Sequence, residues 1–251
     1  MKHFILPMLL LATVHTNAQR IAADKIETSK GPLAIQPVMH AGMVLTWNDK
    51  VIYVDPYGGA AGYKGLAAPD LVLITDIHPD HLDTATLASI DLSKAVFVVP
   101  KTVGDMLPMK YKKNVKILNN DEKLDLLDFN VTAVPMYNTT EDRKAMHTKG
   151  RGNGYVLEMG GKRIYISGDT EDIPEMRALK NIDVAFVCMN LPYTMDVKQA
   201  ASAVLAFKPK VVYPYHYRGN PDVSDTQAFK KLVNDGDKSI DVRLRDWYPK
   251  S

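Results

Sequence analysis

One stretch of the sequence, residues 71–83, constrains the fold and the chemistry of this chain more than any other. Five apolar or β-branched residues, 71–75, run directly into a polar cluster. The metal-ligating members of that cluster are Asp76, His78, Asp80 and His81. The apolar run predicts a buried strand whose carboxyl end carries the cluster. Pro79 prevents a regular helix there, so we expect the side chains to project from a turn. Imidazoles and carboxylates at this density indicate a metal site.

Two later strands are predicted to end in the same residue types. Residues 163–166 lead into Gly168 and Asp169, and residues 210–215 lead into His216. The glycine allows the backbone to approach a neighbour closely. Asp169 and His216 are therefore further candidate ligands.

The longest irregular segment, residues 137–153, contains His147. A loop of this length in a compact domain is usually functional. Its basic residues could meet an anionic substrate, although a solvated surface is the better interpretation of them. They are Arg143, Lys144, Lys149 and Arg151. A second flexible loop, residues 58–67, is expected at the mouth of the site.

These motifs together resemble the metallo-β-lactamase fold superfamily. Residues 76–81 resemble its His-x-His-x-Asp-His signature, with Asp76 in place of the first histidine. Residues 168–170 match Gly-Asp-Thr, and residues 214–217 match Pro-x-His-Tyr. The resemblance covers residues 33–245 and is best to the UlaG-like branch of Zn-dependent hydrolases. It implies an α/β fold, a four-layer αβ/βα sandwich of two mixed sheets with helices outside.

The same resemblance implies how metal ions would be held. One ion would be bound by Asp80, His81 and His216. The other would be bound by Asp76, His78 and His147. Asp169 would lie between the two ions, and Asp80 would also serve catalysis directly. The expected cofactor is one or two divalent ions, zinc first and manganese as the alternative. A metal-bound hydroxide would then hydrolyse a small-molecule substrate.

Asp76 is the departure from the family pattern. Its side chain is shorter than histidine and anionic, so we expect the first site to bind zinc more weakly than the second. Asp76→His is then expected to raise the zinc stoichiometry toward two. The competing interpretation is a true ligand tuned to manganese. Two other functions stay open: a non-hydrolytic metal-binding protein with a degenerate site, and a mono-iron oxidoreductase of the same fold.

Three further residues have predicted roles. Asp55, at the end of the strand before residue 56, suits a hydrogen-bonding position behind the ligands, although a turn cap is an equal alternative. His40 is not expected to be a ligand. Cys188, the only cysteine, lies in an apolar run and is predicted to be a buried core thiol.

Residues 1–18 have a basic start, a short apolar core and small residues before Gln19, which is typical of a signal peptide. We therefore expect an exported protein, periplasmic or secreted, with one domain over residues 19–251. The apolar core is too short to span a bilayer, so no stable membrane insertion is expected. The net charge is +2, and the sequence shows no stripe of Lys and Arg residues, so no nucleic-acid partner is expected.

Overall fold

Two β-sheets packed face to face form the centre of the molecule. The computed structural model describes residues 20–248, so the predicted signal peptide lies outside the described residues. Within this range each sheet has seven strands. With helices on the outer faces, this is the four-layer αβ/βα sandwich that the sequence predicts.

The first sheet is built from the first half of the chain, with its strands in sequence order. Its strands are β1 (Asp24–Ile26), β2 (Leu33–Met39), β3 (Gly42–Trp47), β4 (Lys50–Val54), β5 (Leu71–Leu73), β6 (Val96–Val99) and β7 (Val115–Ile117). Neighbours from β1 to β4 are antiparallel, and neighbours from β4 to β7 are parallel.

The second sheet repeats this arrangement with the second half of the chain. Its strands are β8 (Lys123–Leu126), β9 (Phe129–Met136), β10 (Gly152–Met159), β11 (Lys162–Ile166), β12 (Val184–Cys188), β13 (Val211–Tyr215) and β14 (Asp241–Val242). Neighbours from β8 to β11 are antiparallel, and neighbours from β11 to β14 are parallel. The two halves of the chain thus repeat one strand arrangement, although the sequence shows no visible repeat.

Helices pack on the outer faces of both sheets. They are α1 (Thr84–Ser89), α2 (Lys101–Met106), α3 (Met109–Lys112), α4 (Pro174–Arg177), α5 (Val197–Phe207) and α6 (Thr226–Gly236). A 3₁₀ turn covers Ala60–Tyr63. In the part of the chain from 20 to 248, no helix is both long and apolar enough to cross a bilayer. Sequence analysis missed the short elements β1 and α3.

Both faces of strand β5 are buried, which explains why its sequence is almost continuously apolar. Leu71 and Leu73 point into the core between the sheets, while Val72 and Ile74 point into the core beneath α1, α2 and α3. Side chains alternate between the two faces of a strand, and here both faces are covered. The polar residues that follow the strand therefore begin at a fixed place, the edge where the two sheets meet.

Two cross-sheet hydrogen bonds hold that edge together. The backbone N–H of Asn153 donates to the carbonyl of Thr75 at 2.9 Å. The hydroxyl of Tyr155 donates to the carbonyl of Ile74, also at 2.9 Å. Both join β10 to the segment after β5, so the loop that begins at Asp76 has a rigid origin.

An aromatic cluster fills part of the core between the two sheets. Phe186 is fully buried and stacks on Tyr213, with ring centroids 5.2 Å apart, while Tyr215 and Trp247 present their edges to it.

We expect Phe186→Ala to lower the free energy of unfolding by about 3–5 kcal/mol, because it leaves a cavity in a dry core. Denaturant unfolding measures this. The control is Leu232→Ala on α6, 38% exposed, for which we expect a change within about 0.5 kcal/mol. Equal losses in both variants would contradict the packing argument.

Candidate metal centre

The polar loop after β5 is a tight turn that leads directly into α1. The backbone N–H groups of His81 and Leu82 both donate to the carbonyl of His78, at 3.0 and 2.8 Å. Asp83 caps α1 by accepting from the N–H groups of Ala85 and Thr86, both at 3.0 Å. The turn thereby fixes the directions in which the side chains of residues 76–81 project.

The candidate ligands from the second half of the chain arrive at the same edge. Asp169 follows β11 and His216 follows β13, two strands of the parallel part of the second sheet. Gly168 adopts a φ of +61°, and a Cβ there would lie 2.5 Å from the sulfur of Met136. Only glycine fits this position, as the sequence predicts.

Three of the predicted residues form a buried cluster. Ligand atoms of His81, Asp169 and His216 lie within 4.8 Å of one another. His81 Nε2 is 3.4 Å from Asp169 Oδ2, and His216 Nε2 is 3.3 Å from Asp169 Oδ1. Asp80 Oδ2 lies 3.4 Å from His216 Nε2, and its side chain is 34% exposed. Asp80 thus joins the buried cluster to the solvent side.

Asp55 holds the ring of His81 in place, as expected. The Asp55 carboxylate lies 2.9 Å from His81 Nδ1, and it accepts from the N–H and the hydroxyl of Thr75 at 2.8 and 2.7 Å. An ionised carboxylate only accepts, so His81 carries a proton on Nδ1, and its Nε2 is the nitrogen that faces Asp169. This is the usual support behind a metal-binding histidine.

Unpartnered polar atoms show that the cluster fits a metal ion. Within residues 20–248, two atoms of this cluster, His81 Nε2 and Asp169 Oδ1, are buried without a hydrogen-bond partner. Such atoms cost free energy unless a ligand satisfies them. Two imidazoles and two carboxylates also form a donor set that zinc accepts.

The charges of the cluster depend on one another. Burial raises the pKa of Asp169, but the charges of His216 and His81 outweigh this and hold it well below its usual range. Burial lowers the pKa of His216, but Asp169 and Asp80 raise it to about 9. A cation is therefore favoured between these carboxylates, either a proton on imidazole or a metal ion.

A second group contains Asp76, His78 and His147, also within 4.8 Å. Here Asp76 forms a bidentate ion pair with Arg151, with Nε–Oδ1 at 3.1 Å and Nη2–Oδ2 at 3.0 Å. Asp76 Oδ2 is also 2.7 Å from His78 Nδ1. Burial raises the pKa of Asp76, but His78, His81 and Arg151 together lower it to about 2. Asp76 is therefore an ionised carboxylate with both oxygens engaged.

The interpretation of the loop arginines as solvated surface is wrong. The side chain of Arg151 is 17% exposed because Asp76 is buried beneath it. Arg143 is equally buried and pairs with Glu171, Nε–Oε1 2.7 Å. Lys144 and Lys149 are exposed, as that interpretation requires. A pairing across 75 residues leaves no local signal in the sequence, so it could not have been found there.

His147 is buried and is held by Asn138. The Asn138 amide nitrogen donates to the carbonyls of Arg143 and Tyr193, at 3.0 and 2.8 Å, and lies 3.1 Å from His147 Nδ1. Carbonyls only accept, so these contacts fix the orientation of the amide. His147 Nε2 faces Asp169 Oδ2 at 3.3 Å. No role was assigned to Asn138 from the sequence.

The cluster opens into a cavity of about 520 Å³. The cavity is lined by His40, His78, Pro79, Asp80, Ala145, Met146, His147, Arg151, Asp169, Asn190, Tyr193, His216, Arg218 and Gly219. His40 contacts the His216 ring at 5.3 Å between centroids and lies 3.1 Å from the Tyr248 hydroxyl. Arg218 stacks on Tyr248 at 4.3 Å. His40 therefore lies beside the candidate metal centre, a position that was not predicted from the sequence.

Two other expectations are resolved by the structure. Residues 58–67 do not line this cavity, because they fold into the 3₁₀ turn, whose Tyr63 is buried and stacks on Tyr53 at 5.0 Å. Their placement at its mouth is therefore wrong. Cys188 is fully buried, and burial raises the pKa of its thiol to about 12, which confirms a core thiol.

A family model described as a beta-lactamase superfamily domain matches residues 34–216. The chain belongs to this superfamily.

Individual relatives agree with this membership. A UPF0173 metal-dependent hydrolase of Pyrococcus abyssi is 30% identical over 213 residues, covering 80% of this chain and 92% of the relative. A crystal structure of a protein assigned as a metal-dependent hydrolase, from Parabacteroides distasonis, is 38% identical with a TM-score of 0.76. It covers 89% of this chain and 97% of that one. CmlA, a diiron β-hydroxylase of Streptomyces venezuelae, is 20% identical with a TM-score of 0.62, covering 85% of this chain and 52% of its own, and shows the fold alone.

The support that Asp55 gives to His81 can be tested in this superfamily member. Asp55 has a φ of +41°, which asparagine tolerates, so Asp55→Asn keeps the backbone while it removes the negative charge behind His81. We expect zinc affinity to fall by about 10–100-fold, measured by chelator competition. Asp70→Asn, at a half-buried aspartate bound to Lys94, is the control with unchanged affinity. Equal affinities in the two variants would show that Asp55 only caps a turn.

Proposed function

We propose that this protein is an exported metal-dependent hydrolase that activates water on a divalent ion and cleaves a small-molecule substrate. One observation carries the proposal: His81, Asp169 and His216 form a buried cluster with unpartnered atoms, and Asp80 joins it to a cavity of about 520 Å³. The printed names of the relatives, metal-dependent hydrolases, support the reaction class.

The donor set supports zinc, with manganese as the alternative. His81, His216, Asp80 and Asp169 would hold the ion. When bound, a divalent ion lowers the pKa of a water ligand from about 15.7 toward about 7, which supplies hydroxide at neutral pH. The Asp55 carboxylate keeps His81 in the tautomer that presents a lone pair to the cluster.

Asp80 is placed to handle protons on the cavity side. Burial raises the pKa of its carboxyl, but the hydrogen bond from His216 and the charges of His81 and His216 outweigh this and lower it. An ionised carboxylate at the cavity wall can orient a water molecule by accepting a hydrogen bond from it.

The cavity itself supports a small-molecule substrate. Its volume lies within the usual range for ligand pockets, about 300–1,000 Å³. Polar groups converge at its base, while Met146 and Tyr193 provide apolar surface on its wall. The substrate would place its scissile carbonyl or phosphoryl group beside Asp80.

The first test removes Asp80. We expect Asp80→Ala to lower zinc affinity and to reduce hydrolysis of a panel of ester, lactone and phosphodiester substrates by more than about 100-fold, with the fold intact. The loss exceeds that of an outer residue because Asp80 faces the cavity itself. Zinc content, circular dichroism and turnover are measured together, with exposed Asp91→Ala as the control. Wild-type turnover by metal-free Asp80→Ala protein would contradict the proposal, and iron as the native metal would favour an oxidoreductase.

The second test concerns export, for which residues 1–18 are the support. We expect the mature protein to begin near Gln19 and to be recovered outside the cytoplasm, because the apolar core and the small residues before it suit signal-peptide cleavage. Mass spectrometry of the native protein from separated cell fractions measures both. A protein that retains Met1 in the cytoplasmic fraction would contradict this part of the proposal.

A further inference from the structure

We propose that this chain binds a single divalent ion, at His81, His216, Asp169 and Asp80, and that the Asp76–Arg151 ion pair has taken over the other half of the centre. The inference rests on the proposed metal-dependent function and deepens it. It concerns the group of Asp76, His78 and His147, whose atoms lie close enough to hold an ion of their own.

Both oxygens of Asp76 are already engaged by neighbouring side chains. Both of its oxygens accept from Arg151, and Oδ2 is also 2.7 Å from His78 Nδ1. An ion ligated by Oδ2 would share that atom with a guanidinium nitrogen 3.0 Å away. Arginine stays charged at every accessible pH, so the repulsion between the two cations cannot be relieved by loss of a proton.

Arg151 is fixed in place by hydrogen bonds to other segments. Its Nη2 also donates to the carbonyl of Met146 at 2.5 Å, and its own carbonyl accepts from the Thr102 hydroxyl at 2.5 Å. Separating a buried ion pair leaves an uncompensated charge, which is strongly destabilising. An incoming ion would therefore have to break a pair that the surrounding residues hold together.

The two halves of the centre therefore differ in their ability to bind a metal ion. In one half, the carboxylate behind His81 favours a free lone pair on Nε2. In the other, Arg151 supplies the positive charge and engages both oxygens of Asp76. Arg151 also lines the cavity, so it offers the substrate a fixed cation on that side.

The test is the stoichiometry of zinc binding. Stripped protein is titrated with zinc alone by calorimetry, and bound zinc is counted by elemental analysis after gel filtration. We expect one ion per wild-type chain. We expect His147→Gln to keep that ion with affinity changed by no more than about tenfold, whereas His216→Gln loses more than about 100-fold. Lys149→Met, which removes an exposed cation from the same loop, is the control and should bind like wild type.

A gain-of-binding variant tests the role assigned to the ion pair. Asp76→His alone would leave Arg151 buried without its partner, so the double variant Asp76→His with Arg151→Met is used. It should bind more than one zinc ion, because the introduced imidazole, His78 and His147 then form a set without a competing cation. A stoichiometry that stays at one in this variant would show that the ion pair does not exclude the second ion.

The outcomes separate this inference from the proposed function. Two tightly bound ions in the wild type, or loss of the ion in His147→Gln, would overturn the single-ion inference and leave the hydrolase proposal standing. A wild-type protein that binds no zinc, manganese or iron would overturn both.

Discussion

Negative charge buried at the junction of the two sheets is the constraint on which the centre depends. Asp55, Asp76 and Asp169 are almost fully inaccessible to solvent. A buried carboxylate is costly unless positive charge or hydrogen-bond donors compensate it. Asp55 faces His81 and Thr75, and Asp76 faces Arg151. Asp169 faces three imidazoles, those of His81, His147 and His216. What each carboxylate can do is decided by which partner it has, so the chemistry follows from charge compensation.

Much of the fold could be predicted because burial leaves periodic signals in the sequence. The apolar run 71–75 encodes a strand covered on both faces, and the Gly160-Gly161 turn encodes the β10–β11 hairpin. Strand β1 was missed because three residues carry no usable period. The repeat of one strand arrangement in both halves leaves no visible repeat in the sequence, because sheet topology is specified by burial pattern, which unrelated residues can satisfy equally well.

The candidate site was predictable where ligands follow strands and unpredictable where loops meet. Asp169 and His216 each come directly after an apolar strand, and the parallel strands bring them to the edge that carries residues 76–81. The partner of Asp76 comes from a loop 75 residues away, and the orientation of His147 depends on a side-chain amide. Such contacts depend on packing between loops, for which the sequence gives no period and no spacing. The departure at Asp76 was the visible sign that some compensating change existed.

The division of the chain into two similar halves gives the centre a mechanical meaning. Asp80 and His81 belong to the first half, whereas Asp169 and His216 belong to the second. An ion held by all four would cross-link residues that are far apart in the chain. Cross-links that close long loops restrict the unfolded ensemble most, and ligands that bind only the docked form add stability through mass action. The centre would thus fasten the two halves together, and separately expressed halves would associate more tightly when zinc is present.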